Sequence, residues 1–334
     1  MTEATMPPIT VLVVTFRARD LLAECLDSLA GQTVPHRVLV IDNDSTDGTA
    51  EMLADRYPQV PTLRLPTNTG FAGGVAAGLE RVETRWTALL NDDAAAAPNW
   101  LAELLRAAHQ TPDAAAVTSR MLLGDGDRIN NLGVGLTRQG YGFDLGLGRP
   151  AGDGFAAVTE VFGFSGGAAL LDTAAARAVG GSPAEFFLYY EDTDLSWRLR
   201  LAGYRVVSAP DAVVRHRHSA SVGQQSELFH FHNERNRLLM LLRCAPLRFA
   251  VTQVARFGLT TASLTVRRLR GARPPELNLQ PGLRLRVLAA LLRATPAAVA
   301  ARRRISGIAV RDRATVAADW LGRDGGPGQP AASL

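Results

Sequence analysis

Over the first third of the chain, short apolar runs alternate with segments of helical period. The runs 9–15 (ITVLVVT), 37–42 (RVLVID), 62–65 and 86–90 (WTALL) are too short for helices and are bounded by polar residues, which predicts strands. Between and after them, 21–29, 49–57, 71–82 and 100–108 carry apolar residues three and four apart, which predicts helices. Strand and helix in alternation imply a mostly parallel sheet flanked by helices on both faces. Ligands of such sheets bind beyond the carboxyl ends of the strands. Polar residues collect there: Thr15 after the first strand, Asp42-Asn43-Asp44-Ser45 after the second, Asn91-Asp92-Asp93 after the fourth.

Beyond residue 117 the pattern loosens. Residues 124–156 are glycine-rich without a period and read as long loops or a hairpin over the site. Order returns at 158–171 (VTEVFGFSGGAALL), then in a helix over 192–201 capped by Gly203, then in a strand over 212–214. Three Arg-rich amphipathic helices follow, near 226–244, 246–270 and 282–303, and then a Gly/Pro tail. The expected division is a ligand-binding domain over 1–225, a helical region over 226–320 and a disordered tail over 321–334. No window supplies the ~18 uncharged apolar residues of a spanning helix. Arg256, Arg286, Arg293 and Pro296 interrupt the best candidates, so these helices should lie on a membrane or pack together.

Composition narrows the picture. With 334 residues, 47% of them hydrophobic and 20% charged, the chain can bury a sizeable core. Cys25 and Cys244 stand far apart with no metal-ligand spacing, which excludes a disulfide framework and points to a reducing, cytoplasmic setting. Residues 1–8 lack the charged and apolar parts of a secretory leader, so none is expected. The net charge of +4 hides an asymmetry: residues 1–233 hold 18 Arg against 27 acidic residues, and 234–334 hold 18 Arg against 5. A basic C-terminal region suits nucleic acid or an anionic membrane surface. Its aromatics do not interleave with basic residues as stacking recognition of nucleic acid requires, so no nucleic-acid partner is expected.

Three clusters carry candidate chemistry. The strand ending ALLNDDA (88–94) stops in two adjacent carboxylates, either a solvated turn or ligands for a hard divalent cation, Mg2+ or Mn2+, shared with substrate phosphates. Phosphate cradles of the GxxxxGK[ST] and GxGxxG types are absent. The stretch 186–198 sets Glu191, Asp192 and Asp194 at a helix start behind the aromatic wall 186–190, with Trp197 one turn on. Those carboxylates either favour the helix dipole or include a positioned base. His216 and His218 alternate along a strand and share a face, where they either complete a metal site or are merely solvated. Gly166-Gly167 is either a bulge or a place where backbone approaches substrate closely.

The order VVTF (13–16), DNDSTDGT (42–49), NTGFAGG (68–74), LLNDD (89–93), SGGAALL (165–171), FFLYYEDTDLSWRLRLAGY (186–204), then His216 with Ser221 and RNRLL (235–239), resembles the inverting family 2 glycosyltransferases. In particular it is similar to the bacterial branch of rhamnosyl- and galactofuranosyltransferases, over about residues 9–240. The resemblance implies a GT-A type, Rossmann-like fold and a nucleotide-diphosphate sugar donor. It places Thr15, Asp42 and Ser45 against base and ribose, Asn68 and Gly70 in the diphosphate-side loop, and Asn91-Asp92-Asp93 at the DxD position. It makes Asp93 and His216 metal ligands, Asp192 the catalytic base with Glu191 in support, and Gly166, Gly167, Tyr190 and Trp197 neighbours of the sugars. Two departures stand out: Asn91 replaces the first acid of DxD, and Ala76 stands where many relatives carry Asn. The activity implied is transfer of a deoxyhexose or hexofuranose to a lipid-linked or cell-surface glycan, at the inner face of the cell membrane. Alternatives are glycosyl transfer to a polyprenyl phosphate or a secondary metabolite, and, outside the family, nucleotidyl transfer.

Overall fold

A computed structural model of the protein describes residues 9–124, 126–153, 156–217, 226–271 and 276–323. His218, Ser221 and the segment beyond 323 lie outside these residues. In chain order the elements are β1 (Ile9–Thr15), α1 (Arg19–Ala30), β2 (Arg37–Asp42), α2 (Thr49–Arg56), β3 (Thr62–Arg64), α3 (Gly70–Arg81), β4 (Trp86–Leu90), β5 (Ala94–Ala96), α4 (Trp100–Gln110) and β6 (Ala114–Leu123). There follow β7 (Ile129–Asn131), β8 (Val134–Leu136), β9 (Gly142–Asp144), β10 (Thr159–Glu160), β11 (Ala168–Asp172), α5 (Thr173–Ala178), α6 (Glu191–Leu201) and β12 (Arg205–His216). The chain then turns helical: α7 (Glu227–Cys244), α8 (Leu247–Leu269), α9 (Pro281–Ile308) and α10 (Arg313–Trp320).

The main sheet runs β10-β12-β6-β11-β4-β1-β2-β3. Strands β3, β2, β1 and β4 are parallel, as are β6 and β12. β1 and β4 are buried along their whole length, as expected of strands covered on both faces. One apolar cluster joins β1 to α1 and α4 through Leu22, Leu26, Trp100 and Leu104, and a second joins the other face to α3 and α6 through Leu79, Leu195 and Leu199.

β11 runs against its neighbours inside the sheet, as β10 does at the edge beside β12. It pairs antiparallel with both β4 and β6, so it begins where β4 ends, with Ala168 opposite Leu90. A reversed strand in this position carries the residues just before it, Gly166-Gly167, to the carboxyl edge where the ligand chemistry gathers.

Sequence periodicity misses several elements. β6 (AAAVTSRMLL) opens on alanines, which carry a helical preference, and becomes a central strand through pairing with β11 and β12. The stretch 124–156 is more ordered than loops alone: β7 pairs β6, and β8-β9 forms a separate hairpin. The strand expected at 212–214 is the end of the longer β12, whose register with β6 slips between Ala209 and Val213.

The helices beyond 226 pack together, and no helix among the described residues is long and apolar enough to cross a membrane. A third cluster binds them to the rest, joining Phe162, Phe186 and Trp197 to Leu238, Met240, Val287 and Trp320. Residues on both sides of position 225 therefore share one core. α10 returns the chain to the sheet region: Trp320 lies under the Arg200 guanidinium, 4.4 Å from its ring centroid, and the Gly322 N–H donates to the Leu136 carbonyl.

Candidate active site

At the carboxyl ends of β1 and β2 the turns are locked by side chains. Asp42 Oδ1 accepts from the Ser45 N–H at 2.9 Å, and the Ser45 hydroxyl accepts from the Arg17 N–H at 2.9 Å. Ser45 is thus occupied in fixing the loop after β1. Asp42 Oδ2 is buried without a hydrogen-bond partner, 3.8 Å from the Arg64 guanidinium, and the buried Thr15 hydroxyl faces the Asp92 carboxyl. Buried polar atoms are ordinarily satisfied, so an unpartnered carboxylate oxygen at adjoining strand ends is a place prepared for a polar ligand.

The neighbouring loop 68–72 hangs from Asn43, which is fully buried. Its amide donates to the Gly70 carbonyl at 2.9 Å, and its Oδ1 accepts from the Thr69 N–H at 2.8 Å. Asn68 Oδ1 accepts from the Gly70 N–H at 2.8 Å. Gly70 itself has φ +70°, and a β-carbon there would overlap the Phe187 carbonyl. That carbonyl accepts from the Ala72 N–H at 3.0 Å, so the 68–72 loop and the segment before Asp192 touch directly.

Asn91-Asp92-Asp93 follow β4. β5 pairs with the end of β12, Ala94 opposite His216, and this register sets the His216 ring beside Asp93 with Nε2 2.9 Å from Oδ1. The other ring nitrogen meets Asn130 Oδ1 at 2.9 Å, and the Asn91 amide lies 3.2 Å from Nε2. Both ring nitrogens are thus held by side chains, Nδ1 by Asn130 and Nε2 by Asn91 and Asp93, which fixes the plane of the ring. Burial raises the Asp92 carboxyl to about 7, the Thr15 side chain opposing and the Asp93 charge adding to it.

Asp192 stands in the first turn of α6. The Gly166 N–H donates to its Oδ2 at 2.9 Å, and the Thr193 hydroxyl donates to Oδ1 at 3.0 Å. On the other side of the same glycine pair, the Gly167 carbonyl accepts from the Asn91 N–H at 2.9 Å. Gly166-Gly167 therefore bridges the carboxylate of α6 and the acidic end of β4. Burial pushes the carboxyls of Asp192 and of its neighbour Glu191 up, and the hydrogen bonds from Gly166 and Thr193 pull Asp192 back.

The turn before α6 is strained. Phe187, Tyr189 and Tyr190 all take left-handed backbone conformations, with φ of 68°, 68° and 69°. Asn236 of α7 holds them: its amide nitrogen lies 2.9, 2.7 and 2.8 Å from the carbonyls of Phe186, Leu188 and Tyr189. The His232 ring stacks on Phe187 with centroids 5.3 Å apart.

Two expected neighbours of the sugars are not brought to this edge. Trp197 is fully buried and packs edge-on against Phe162 in the third apolar cluster. Tyr190 is buried in the same cluster, and its hydroxyl accepts from the Gly142 N–H at 3.1 Å, anchoring the β8-β9 hairpin. Helical spacing places every fourth residue on one side but does not say which side faces the core.

That hairpin brings a residue periodicity gave no reason to choose. Asp144 accepts from Asn131 and sits close enough to Asp192 and His216 to feel both charges. Loss of surrounding water raises its carboxyl to about 6, with Asp192 adding to the shift and His216 opposing it. Asn43, Asn130 and Asn236 were also not singled out; only Asn43 lay in a polar cluster and Asn236 in a quoted motif. Two cavities, of about 480 and 400 Å3, lie away from this edge. Asn91, Asp92 and Asp192 are half-buried at this edge.

A helix-flanked, mostly parallel sheet with polar orphans, acids and a histidine at one carboxyl edge is the frame of a GT-A type transferase. Residues 10–169 match the glycosyl transferase family 2 profile. The N-acetylglucosaminyl-diphospho-decaprenol L-rhamnosyltransferase of Mycobacterium tuberculosis is 30% identical over 237 residues, 64% of this chain and 77% of that protein. The putative teichuronic acid biosynthesis glycosyltransferase TuaG of Bacillus subtilis is 30% identical over 92 residues, 26% of this chain and 36% of its own. Among solved structures, GalNAc-T7 with UDP, GalNAc and Mn2+ superposes with a TM-score of 0.57 at 12% identity, over 75% of this chain and 55% of that one. The Pyrobaculum calidifontis mannosyltransferase PcManGT with GDP-Man and Mn2+ superposes with a TM-score of 0.50 at 18% identity, over 94% and 79%. This chain belongs to glycosyl transferase family 2 and is a glycosyltransferase.

Proposed function

We propose that the protein transfers a deoxyhexose such as L-rhamnose, or a hexofuranose, from a nucleotide-diphosphate donor to a lipid-linked saccharide, with inversion at the anomeric carbon. The observation that carries the reading is the Gly166-Gly167 bridge, which sets the Asp192 carboxylate and the Asn91–Asp93 segment on one short piece of backbone. A base and a diphosphate-facing edge held that close fit a single displacement. The mycobacterial relative, named for a diphospho-decaprenol acceptor and L-rhamnose, supports the choice of both substrates.

In this reading Thr15 and the unpartnered Asp42 Oδ2 receive the base and ribose, and the Asn68–Gly70 loop and Asn91-Asp92 face the diphosphate. Asp93 and His216 offer a carboxylate oxygen and an imidazole nitrogen to Mg2+ or Mn2+, with Asn130 orienting the ring as an outer support. Among the described residues no group of three His, Cys, Asp or Glu side chains is arranged to hold a metal, so Asp93 and His216 would hold the cation together with ligands from outside the chain. A bound cation would supply positive charge where the nucleoside diphosphate departs. Asp192 takes the proton from the attacking acceptor hydroxyl, whose oxygen bonds to the anomeric carbon as the bond to the diphosphate breaks. Burial strengthens Asp192 as a base, and the Gly166 N–H keeps it aimed. Glu191, with Oε2 buried and unpartnered, supports the same turn.

The test is a release assay with UDP-, dTDP- and GDP-sugars and a polyprenyl-diphosphate-linked saccharide, with and without Mg2+ or Mn2+. Nucleoside diphosphate released only when both substrates are present is expected, and Asp192→Asn should fold normally yet turn over about 10²–10⁴-fold more slowly. Release of inorganic diphosphate, or wild-type turnover by the variant, would overturn the assignment.

A further inference from the structure

α8 is apolar on two opposite sides. Its inward row, Ala250, Phe257 and Leu264, is buried, the first two in the third cluster, and a helix on a protein surface needs such a row only once. The outward row runs Val251, Ala255, Leu259, Ala262, Val266 and Leu269, at steps of three and four that keep one line along the helix. Leu259 is 72% exposed and Leu269 82%. Beside that row lie Arg248, Arg256 and Arg267, also exposed. The neighbouring α9 repeats the plan, with Leu285, Leu292 and Val299 turned outward every seventh residue and Arg293 and Arg304 alongside. Neither helix contains an acidic residue.

We propose that the outward rows of α8 and α9 form a docking face for an anionic lipid surface. Rows of aliphatic side chains about 27 Å long on α8 enter the boundary between headgroups and acyl chains, and the adjoining arginines reach lipid phosphates. Charge decides among occupants. A second copy of the chain would bring one arginine row against another with no carboxylates to meet them. Nucleic acid would gain the arginines but find no exposed aromatic on α8 or α9 on which to stack a base. The proposal deepens the lipid-linked acceptor reading and rests on it for its purpose: α8 packs on α7, and α7 holds the turn before Asp192, so a docked membrane lies one helix away from the base.

The experiment is flotation of the whole protein with vesicles of phosphatidylcholine alone or mixed with phosphatidylglycerol, without either substrate, so that its failure leaves the transferase assignment standing. Binding to the mixed vesicles is expected, weakening as salt is raised. Replacing Arg248, Arg256 and Arg267 together by Gln should lower the partition by about a hundredfold. The pair Leu259→Glu and Leu292→Glu should lower it at least about tenfold with melting temperature unchanged, since both side chains already face solvent. Equal binding to neutral vesicles, unchanged binding by the variants, a vesicle-free dimer that Leu259→Glu dissociates, or retention on RNA without vesicle binding would each overturn the proposal.

Discussion

Replacing Asn236 by Ala removes the one side chain that holds the turn before Asp192 from three directions. Three non-glycine residues at positive φ store roughly 3–6 kcal/mol, at about 1–2 kcal/mol each. Against this, the Asn236 amide meets three carbonyls at 2.7–2.9 Å. Each such bond contributes about 1 kcal/mol net, and the amide has two N–H groups to share among the three carbonyls, so the clamp contributes roughly 2–3 kcal/mol. Strain and clamp are comparable, and without the clamp the turn should relax and carry Asp192 away from Gly166. A shift of about 1 Å in a catalytic group can cost around 10²-fold in rate. The expected result is a kcat lower by about that factor with donor KM changed only slightly, because Asn43, not Asn236, fixes the donor-side loop. Asn236→Asp is the sharper variant: it keeps the shape but turns an acceptor toward three acceptors, and should do at least as much harm as Ala. Steady-state release of nucleoside diphosphate reads kcat and KM, and thermal melting reads stability. A variant that loses stability yet keeps wild-type kcat would refute the positioning role.

Gly70→Ala should lower both stability and activity, since the added carbon meets the Phe187 carbonyl and the residue sits at φ +70°; a thermal melt and a release assay would show both losses. Asn130→Ala should raise the Mg2+ or Mn2+ concentration needed for half-maximal rate by about 10–100-fold, read from a metal titration, by freeing the His216 ring. Burial lowers His232 to about 4, below the ordinary value of 6.5. The unfolded chain therefore takes the proton first, so stability is full above about pH 6.5 and falls as pH drops toward 4. Denaturant melts at several pH values should show this fall in the wild type and a smaller one in His232→Phe. Trp320→Ala should cost about 3–5 kcal/mol in the same melts, because Phe162 and Arg200 both pack on that ring.

Sequence alone determined the local pieces. An unbroken apolar run such as ITVLVVT records a strand covered on both faces, and the three- and four-residue spacings of α1 to α4 record which face each helix turns to water, properties each segment carries by itself. The polar residues at strand ends and the motif order marked one edge and one family for the same reason. Tertiary structure decided what depends on pairing between distant segments. The reversal of β11 put Gly166-Gly167 between Asn91 and Asp192, and the register of β5 on β12 put His216 against Asp93. The hairpin of β8 and β9 delivered Asp144, while packing of α6 on the C-terminal helices turned Trp197 inward. Direction and register are set by contacts formed only when the chain closes on itself, and no periodicity within a segment carries them.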